Sequence, residues 1–294
     1  MTVNREAIID KLKDLKDKGY IVPSEDMIKT SDEIKKIRKA AKINTELLDL
    51  IAKNIKPGMT TDELNTIAHE FIESKGAVPM QLDSPNYSGT HKFPKSSIIS
   101  VNNEMFYGIP SSDRVLKDGD IVNVIIPIMY DGYCSHESRM FMIGNVSDEA
   151  KRLVEVAKEC IDKGIEAIKP WGDIRDIVHA VEEHTKENGY SLFNMIGHGT
   201  GRSVREEPIF GSNGIGIDTL FAKEQGLCPN KVGQGMILAP GMAISLEPAI
   251  NEGKKDWHID KDNGFTMYTA DGKLSAQWGY VIIVTENGVE VIGK

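Results

Sequence analysis

The sequence predicts an α+β protein in which helices pack on one face of a mainly antiparallel sheet, in a core built twice. Three features of the chain carry this. Residues 120–144 read DIVNVIIPIMYDGYCSHESRMFMIG, two apolar-rich runs around Asp131-Gly132. That pair tolerates the positive φ that both positions of a tight hairpin turn demand, so the runs pair antiparallel. An internal echo is the second feature: Lys56-Pro57 leads to Leu64, Ile67, Ala68 and Phe71 and ends at Gly76, while Lys169-Pro170 leads, at one common offset, to Ile177, Ala180, Val181 and His184 and ends at Gly189. Third, strand-like segments follow each copy: 96–101 and 120–143 after the first, then 192–196, 243–246 and 280–285 after the second.

Taken in order, the chain opens with Ile8, Ile9, Leu12 and Leu15 at helical spacing before Gly19, which can close the helix in the left-handed region. Residues 1–26 are expected to form an appended helix and a linker through Pro23, and residues 27–294 the main domain. Thr30 and Glu33 fit a capping box that opens a helix to about Ile51, with Ile34, Ile37, Ala41, Leu47, Leu48 and Ile51 as its apolar stripe. Each copy of the echo reads as a helix started by its proline and closed by its glycine.

In the hairpin, with Asp131 and Gly132 as the loop, Tyr130 faces Tyr133, Pro127 faces His136 and Ile125 faces Ser138. Alternation then puts Ile125, Pro127, Cys134, His136 and Ser138 on one side and Glu137 on the other. A histidine there is either a hydrogen-bonded core residue or a ligand. Residues 207–240 are glycine-rich and read as a long surface loop; GSNGIG matches neither phosphate-cradling pattern.

Composition excludes several classes of partner. With 294 residues, 40% hydrophobic and 27% charged, the chain has the make-up of a soluble globular protein of one large domain or two ordinary ones. A net charge of −9 without a Lys/Arg cluster argues against nucleic acid. Cys134, Cys160 and Cys228 are too scattered for a disulfide framework or a structural zinc. The longest apolar run, 124–129, cannot span a bilayer, and the N-terminus lacks a signal-peptide core, so no membrane is expected and a cytoplasmic location is.

Three segments place polar groups where a core prefers apolar ones. Gly197-His198-Gly199 sets an imidazole between glycines, which allow close backbone approach. Glu247 ends an apolar strand in Ser245-Leu246-Glu247-Pro248, where a buried charge needs a partner or a metal. Gly279 stands in Ser275-Ala276-Gln277-Trp278-Gly279-Tyr280, where a strand normally carries a side chain.

The motifs PKSSIISVN (94–102), YGIP (107–110), LKDGDIVNV (116–124), GHGTGR (197–202), EEP (206–208), PGM (240–242), LEP (246–248) and SAQ (275–277) resemble, in order and nearly in spacing, those of type I methionine aminopeptidases. The resemblance covers the chain from about Met27 to its end. It implies the pita-bread fold, a pseudo-two-fold α+β domain, and a scaffold that holds two divalent ions and removes an N-terminal methionine.

By the same resemblance, the family's first aspartate ligand falls on Ile125, its bridging aspartate on His136 and its bridging glutamate on Gly279, whereas its histidine and strand-end glutamate are kept as His198 and Glu247. The expected metal set is therefore His136, His198 and Glu247, two imidazoles and a carboxylate suited to one Zn or Fe ion, with Mn and Co also open. The alternative is no ion, with His136 bonded to Glu247 or Tyr280. Two substrate-facing histidines of the family fall on Tyr107 and Arg205. The specificity pocket falls on Phe93, Ile98, Val204 and Phe265, with Tyr87 aligned less closely. The sequence-level expectation is a divergent member whose two-metal aminopeptidase site is dismantled and whose cleft binds a peptide or small ligand. The alternative is a single-metal enzyme on His136, His198 and Glu247, hydrolytic or oxidative, residual methionine aminopeptidase activity included.

Overall fold

The computed structural model describes residues 3–86, 88–211 and 235–293. Tyr87, Cys228 and most of the glycine-rich stretch after Gly211 lie outside the described residues. Among the described residues five α-helices appear: α1 (Arg5–Asp17), α2 (Ser31–Asn54), α3 (Thr61–Ser74), α4 (Asp148–Ala167) and α5 (Arg175–Glu187). The strands are β1 (Val78–Pro79), β2 (Ile98–Val101), β3 (Glu104–Phe106), β4 (Ile121–Tyr130), β5 (Tyr133–Met142), β6 (Ser191–Leu192), β7 (Met195–Gly199) and β8 (Glu206–Gly211). They continue with β9 (Ala243–Leu246), β10 (Ala249–Asn251), β11 (Trp257–Ile259), β12 (Met267–Thr269), β13 (Ser275–Gln277), β14 (Tyr280–Thr285) and β15 (Gly288–Ile292).

The Thr30–Glu33 capping box opens α2 as its sequence predicts, and Thr60 and Glu63 form a second one at α3. One expectation is corrected: Pro57 and Pro170 do not start the echoed helices. Pro57 precedes the Thr60 cap, because a threonine oxygen satisfies the free amides of the first turn and a proline ring cannot. The capless start of α5 is tied down elsewhere, with Ile174 N donating to the Met236 carbonyl. Gly76 and Gly189 do close the two helices, at φ 67° and 76°.

The hairpin registers as read: Tyr130 opposes Tyr133, Pro127 opposes His136 and Ile125 opposes Ser138, with Asp131 and Gly132 at φ 51° and 77°. Strand β4 is flanked by β5 and β2 and also pairs with β1, all antiparallel. The five-stranded sheet runs β15-β14-β9-β7-β8 and is antiparallel throughout.

Each large sheet buries one face under a helix pair. In the first half, Leu47, Leu48, Ile51, Leu64, Ala68 and Ile72 of α2 and α3 meet Val122, Val124, Ile126 and Ile128 of β4. In the second, Leu153, Ala157 and Ile161 of α4 and Ile177 and Val181 of α5 meet Ile244, Leu246 and Ile282. Each such aliphatic side chain contributes about 1.5–3 kcal/mol on burial. The extension is part of this second core: Ile8 and Leu12 are buried in it, Lys11 lies over the Trp171 ring at 3.8 Å, and the Arg5 guanidinium donates to the Ile28 and Glu25 carbonyls.

The halves are stitched where β5 passes the junction of β13 and β14. Ser138 N donates to the Gly279 carbonyl at 3.1 Å and Gly279 N returns the bond to Ser138 O at 3.2 Å. No helix among the described residues is long and apolar enough to cross a membrane.

Candidate functional site

Three strands deliver His136, His198 and Glu247 to one buried point beside this stitch. His136 comes from β5, His198 from β7, and Glu247 from the residue after β9, which pairs with β7 so that Gly197 opposes Leu246 and His198 opposes Ser245. The glycines around His198 permit this packing: a Cβ at Gly197 would lie 2.6 Å from the Ser245 carbonyl oxygen, and one at Gly199 would lie 2.2 Å from that of Glu207. Ser245 Oγ then donates to the His136 carbonyl, and Glu247 N to that of Ile196.

The donor atoms converge. Glu247 Oε1 lies 3.3 Å from His198 Nε2, and Oε2 lies 3.7 Å from His136 Nδ1. One ligand atom from each of the three residues lies within 4.8 Å of the others, and all three residues are buried. His198 Nδ1 sits 2.8 Å from the Gly199 carbonyl, a contact in which it must be the donor, so Nε2 of the neutral ring carries the free lone pair. His136 Nδ1, His198 Nε2 and Glu247 Oε1 are buried without a hydrogen-bond partner. Such atoms need a cation or a proton between them, because two facing lone pairs repel.

Burial lowers the His136 pKa to about 4, against the attraction of Glu247. Burial alone would raise that of Glu247, but His136, His198 and Arg205 outweigh it and bring it to about 2. A neutral imidazole and an ionised carboxylate are the protonation states that metal ligands require. Glu247 stands beside His136, and the three residues form a set that could hold one divalent ion.

Around this point lie two further positions named by the resemblance, Ile125 and Gly279. Ile125 is a buried aliphatic side chain facing the cleft. Gly279 offers no donor, and a Cβ there would lie 2.8 Å from Ser138 Oγ, so the serine fills the space in front of it. Among the described residues, His136, His198 and Glu247 are the one group of ligand-type side chains close enough together to share a metal ion.

A cleft of about 620 Å³ adjoins the group. His136, Glu247, Tyr107, Arg205, Val204 and Phe265 line it; His198 does not and lies fully buried. Phe93 stands behind the wall, packed edge-on against Phe265 with ring centres 5.2 Å apart. Arg205 donates a hydrogen bond to Tyr107; burial works against its charge, but Tyr107 and Glu247 raise its pKa above the ordinary guanidinium value.

Other groups in the site were not legible in the sequence. Phe106, Phe193 and Trp257 supply much of the aromatic wall from strands only two or three residues long or from beside them, too short to show a period. Gln277 Nε2 donates to the Glu247 carbonyl, and Asn123 Nδ2 to that of Gln277. An unbroken polar run of Asn123 and Gln277 with Glu247 has no sequence spacing to reveal it.

Comparison with known proteins agrees with this architecture. Residues 35–286 match the model of metallopeptidase family M24. Methionine aminopeptidase A of Synechocystis sp. is 40% identical over 262 residues, covering 88% of this chain and 94% of that protein. The methionine aminopeptidase of Escherichia coli is 34% identical over 267 residues, 90% of this chain and 92% of its own length. Among solved structures, that of methionine aminopeptidase from Rickettsia prowazekii superposes with a TM-score of 0.80 at 35% identity, covering 91% of this chain and 99% of that one. The Thermotoga maritima methionine aminopeptidase gives 0.79 at 30% identity, covering 91% and 98%.

Proposed function

We propose, from the premise that this chain belongs to metallopeptidase family M24, that it is a divergent methionine aminopeptidase-like protein with one metal position in place of two. The observation that carries the reading is the convergence of three buried, unpartnered donor atoms from His136, His198 and Glu247. A pair of ions needs carboxylates bridging them to offset their repulsion. Ile125 cannot coordinate, Gly279 has no side chain and His136 brings no negative charge, so the residues present do not fit a pair. They fit a single Zn, Fe, Mn or Co ion.

When bound, such an ion supplies Lewis-acid polarisation of a ligand oxygen. The chain's own residues do the rest. His198, its tautomer fixed by the Gly199 carbonyl, and Glu247, held through Gln277, keep the donor geometry. The cleft excludes water from an apolar ligand body, and Tyr107 and Arg205 orient its polar end. The reading is a peptide- or small-molecule-binding cleft in which two-ion aminopeptidase turnover is lost.

Residual removal of N-terminal methionine on one ion is the second reading, favoured by the retained His198–Glu247 pair beside an apolar pocket. Metal analysis of protein purified without chelator, with turnover of a Met-Ala-Ser peptide, separates the two. One equivalent of metal and no turnover is expected. Turnover that rises with Co²⁺ or Mn²⁺ and disappears in His198→Ala establishes the second reading. Two equivalents, or none together with an unaltered His136→Ala variant, sinks the one-ion site.

A further inference from the structure

We propose that the cleft takes a ligand with a carboxylate on an apolar body, the carboxylate seated on Arg205 and the body against the aromatic wall. The proposal rests on the cleft being the ligand site, but not on whether an ion is bound there.

Charge decides the polar end. Among the described residues lining the cleft, Arg205 is the one guanidinium or ammonium group and Glu247 the one carboxylate. Glu247 faces both imidazoles and is 3% exposed, so it is not free to receive a ligand's ammonium group. The remaining polar lining, Gln81, Ser84, Asn86 and Tyr107, is uncharged. Arg205 is therefore the one exposed charge in the described lining, and an α-ammonium would meet a guanidinium while the lining's one carboxylate, Glu247, is buried and turned toward both imidazoles. A divalent ion on Glu247 would strengthen that bias.

Arg205 is also held ready. Its turn is fixed by Glu206, whose Oε1 accepts from Arg202 N at 2.6 Å and Ser203 N at 3.0 Å, while Oε2 accepts from the buried Lys29 Nζ at 2.7 Å. Tyr107, which accepts a hydrogen bond from Arg205, adopts φ 55°, a conformation that costs a bulky residue about 1–3 kcal/mol. Its carbonyl is pinned by Thr266 Oγ1 at 3.0 Å. A guanidinium has five N–H donors in a planar fork, so a bond to one phenol leaves donors for a bidentate carboxylate. Preorganisation of this kind lowers the entropic cost of binding.

The body of the ligand follows from the rest of the wall. Phe106, Phe193, Phe265 and Met267 are joined at the rim by Trp257 and Ile259, large apolar side chains that stand 42% and 40% exposed. Side chains of this kind left open at a cleft mouth fit an apolar ligand body.

Titration calorimetry with N-acetyl-L-methionine and L-methioninamide tests this, because the two share one apolar side chain and carry opposite charges. The full chain should bind the acid at least tenfold more tightly than the amide. Arg205→Gln should remove that preference, and Arg205→Glu should reverse it, with unchanged thermal melting certifying the fold of each variant. Equal or tighter binding of the amide, no binding of either probe at millimolar concentration, or an unaltered preference in Arg205→Gln overturns the proposal. Repeating the titration after chelation separates it from the metal reading: loss of the ion alone leaves an Arg205-dependent preference in place.

Discussion

His198 Nε2 and Glu247 Oε1 face each other at 3.3 Å, both buried and neither hydrogen-bonded, while the other ring nitrogen of His198 is committed to the Gly199 carbonyl. A divalent cation relieves that opposition of lone pairs. Zn²⁺ at a hundred times its dissociation constant should therefore raise the unfolding free energy by about 2.7 kcal/mol. Thermal melts with and without chelator should show this increment in the natural chain and none in His198→Ala or Glu247→Gln.

The space in front of Gly279 is taken by Ser138 Oγ, 2.8 Å from where a Cβ would stand. Gly279→Ala should therefore cost roughly 1–3 kcal/mol in urea denaturation. Ser138→Ala in the same chain should return part of that loss, the two changes coupling in a double-mutant cycle. Additive costs would mean that the serine is not the obstacle.

Glu33 caps α2 and also accepts hydrogen bonds from Tyr133 and Arg202. Burial pulls its carboxyl upward, but the Thr30 amide, the Tyr133 hydroxyl and Arg202 bring it from 4.5 down to about 2. The folded value is the lower one, so its stabilisation is complete above pH 4.5 and is lost as pH falls toward 2. Glu33→Gln should cost about 1–3 kcal/mol at pH 7, and the two proteins should converge at the acid end of a pH series of melts.

Leu12 of the extension is 4% exposed and belongs to the second core. Leu12→Ala should destabilise the whole chain by roughly 2–5 kcal/mol. Lys13→Ala, which removes only an exposed pair with Asp10, should leave the melting temperature unchanged.

The hairpin register, the capping of α2 and the closure of α3 and α5 were legible because each depends on neighbours in sequence: Asp131-Gly132, Thr30 with Glu33, and the terminal glycines. The convergence of His136, His198 and Glu247 followed from motif register and not from any periodicity, since three strands far apart in the chain deliver them. Helix α4 was not expected, although Ser147 caps it and Leu153, Ala157 and Ile161 line its buried face; it ends at an extended Ile168 with no terminal glycine of the kind that closes α3 and α5. The cleft wall was legible only at the positions the family resemblance supplied, Ile98, Tyr107, Val204, Arg205 and Phe265. Phe193 follows a two-residue strand and Trp257 begins a three-residue one, so their placement is set by tertiary pairing.

The paired hydrogen bonds between Ser138 and Gly279 also determine how the cleft can be reached. Ser138 lies two residues from His136, and Gly279 directly precedes the strand that carries Tyr280, so the two lobes share a backbone seam close in sequence to the His136 position. Spreading the lobes would break that seam and strip two amides of their partners. Trp257 and Ile259 stand in the cleft lining on a ribbon exposed at every residue, and substitutions there should change how fast a guest arrives and leaves more than how its polar end is held.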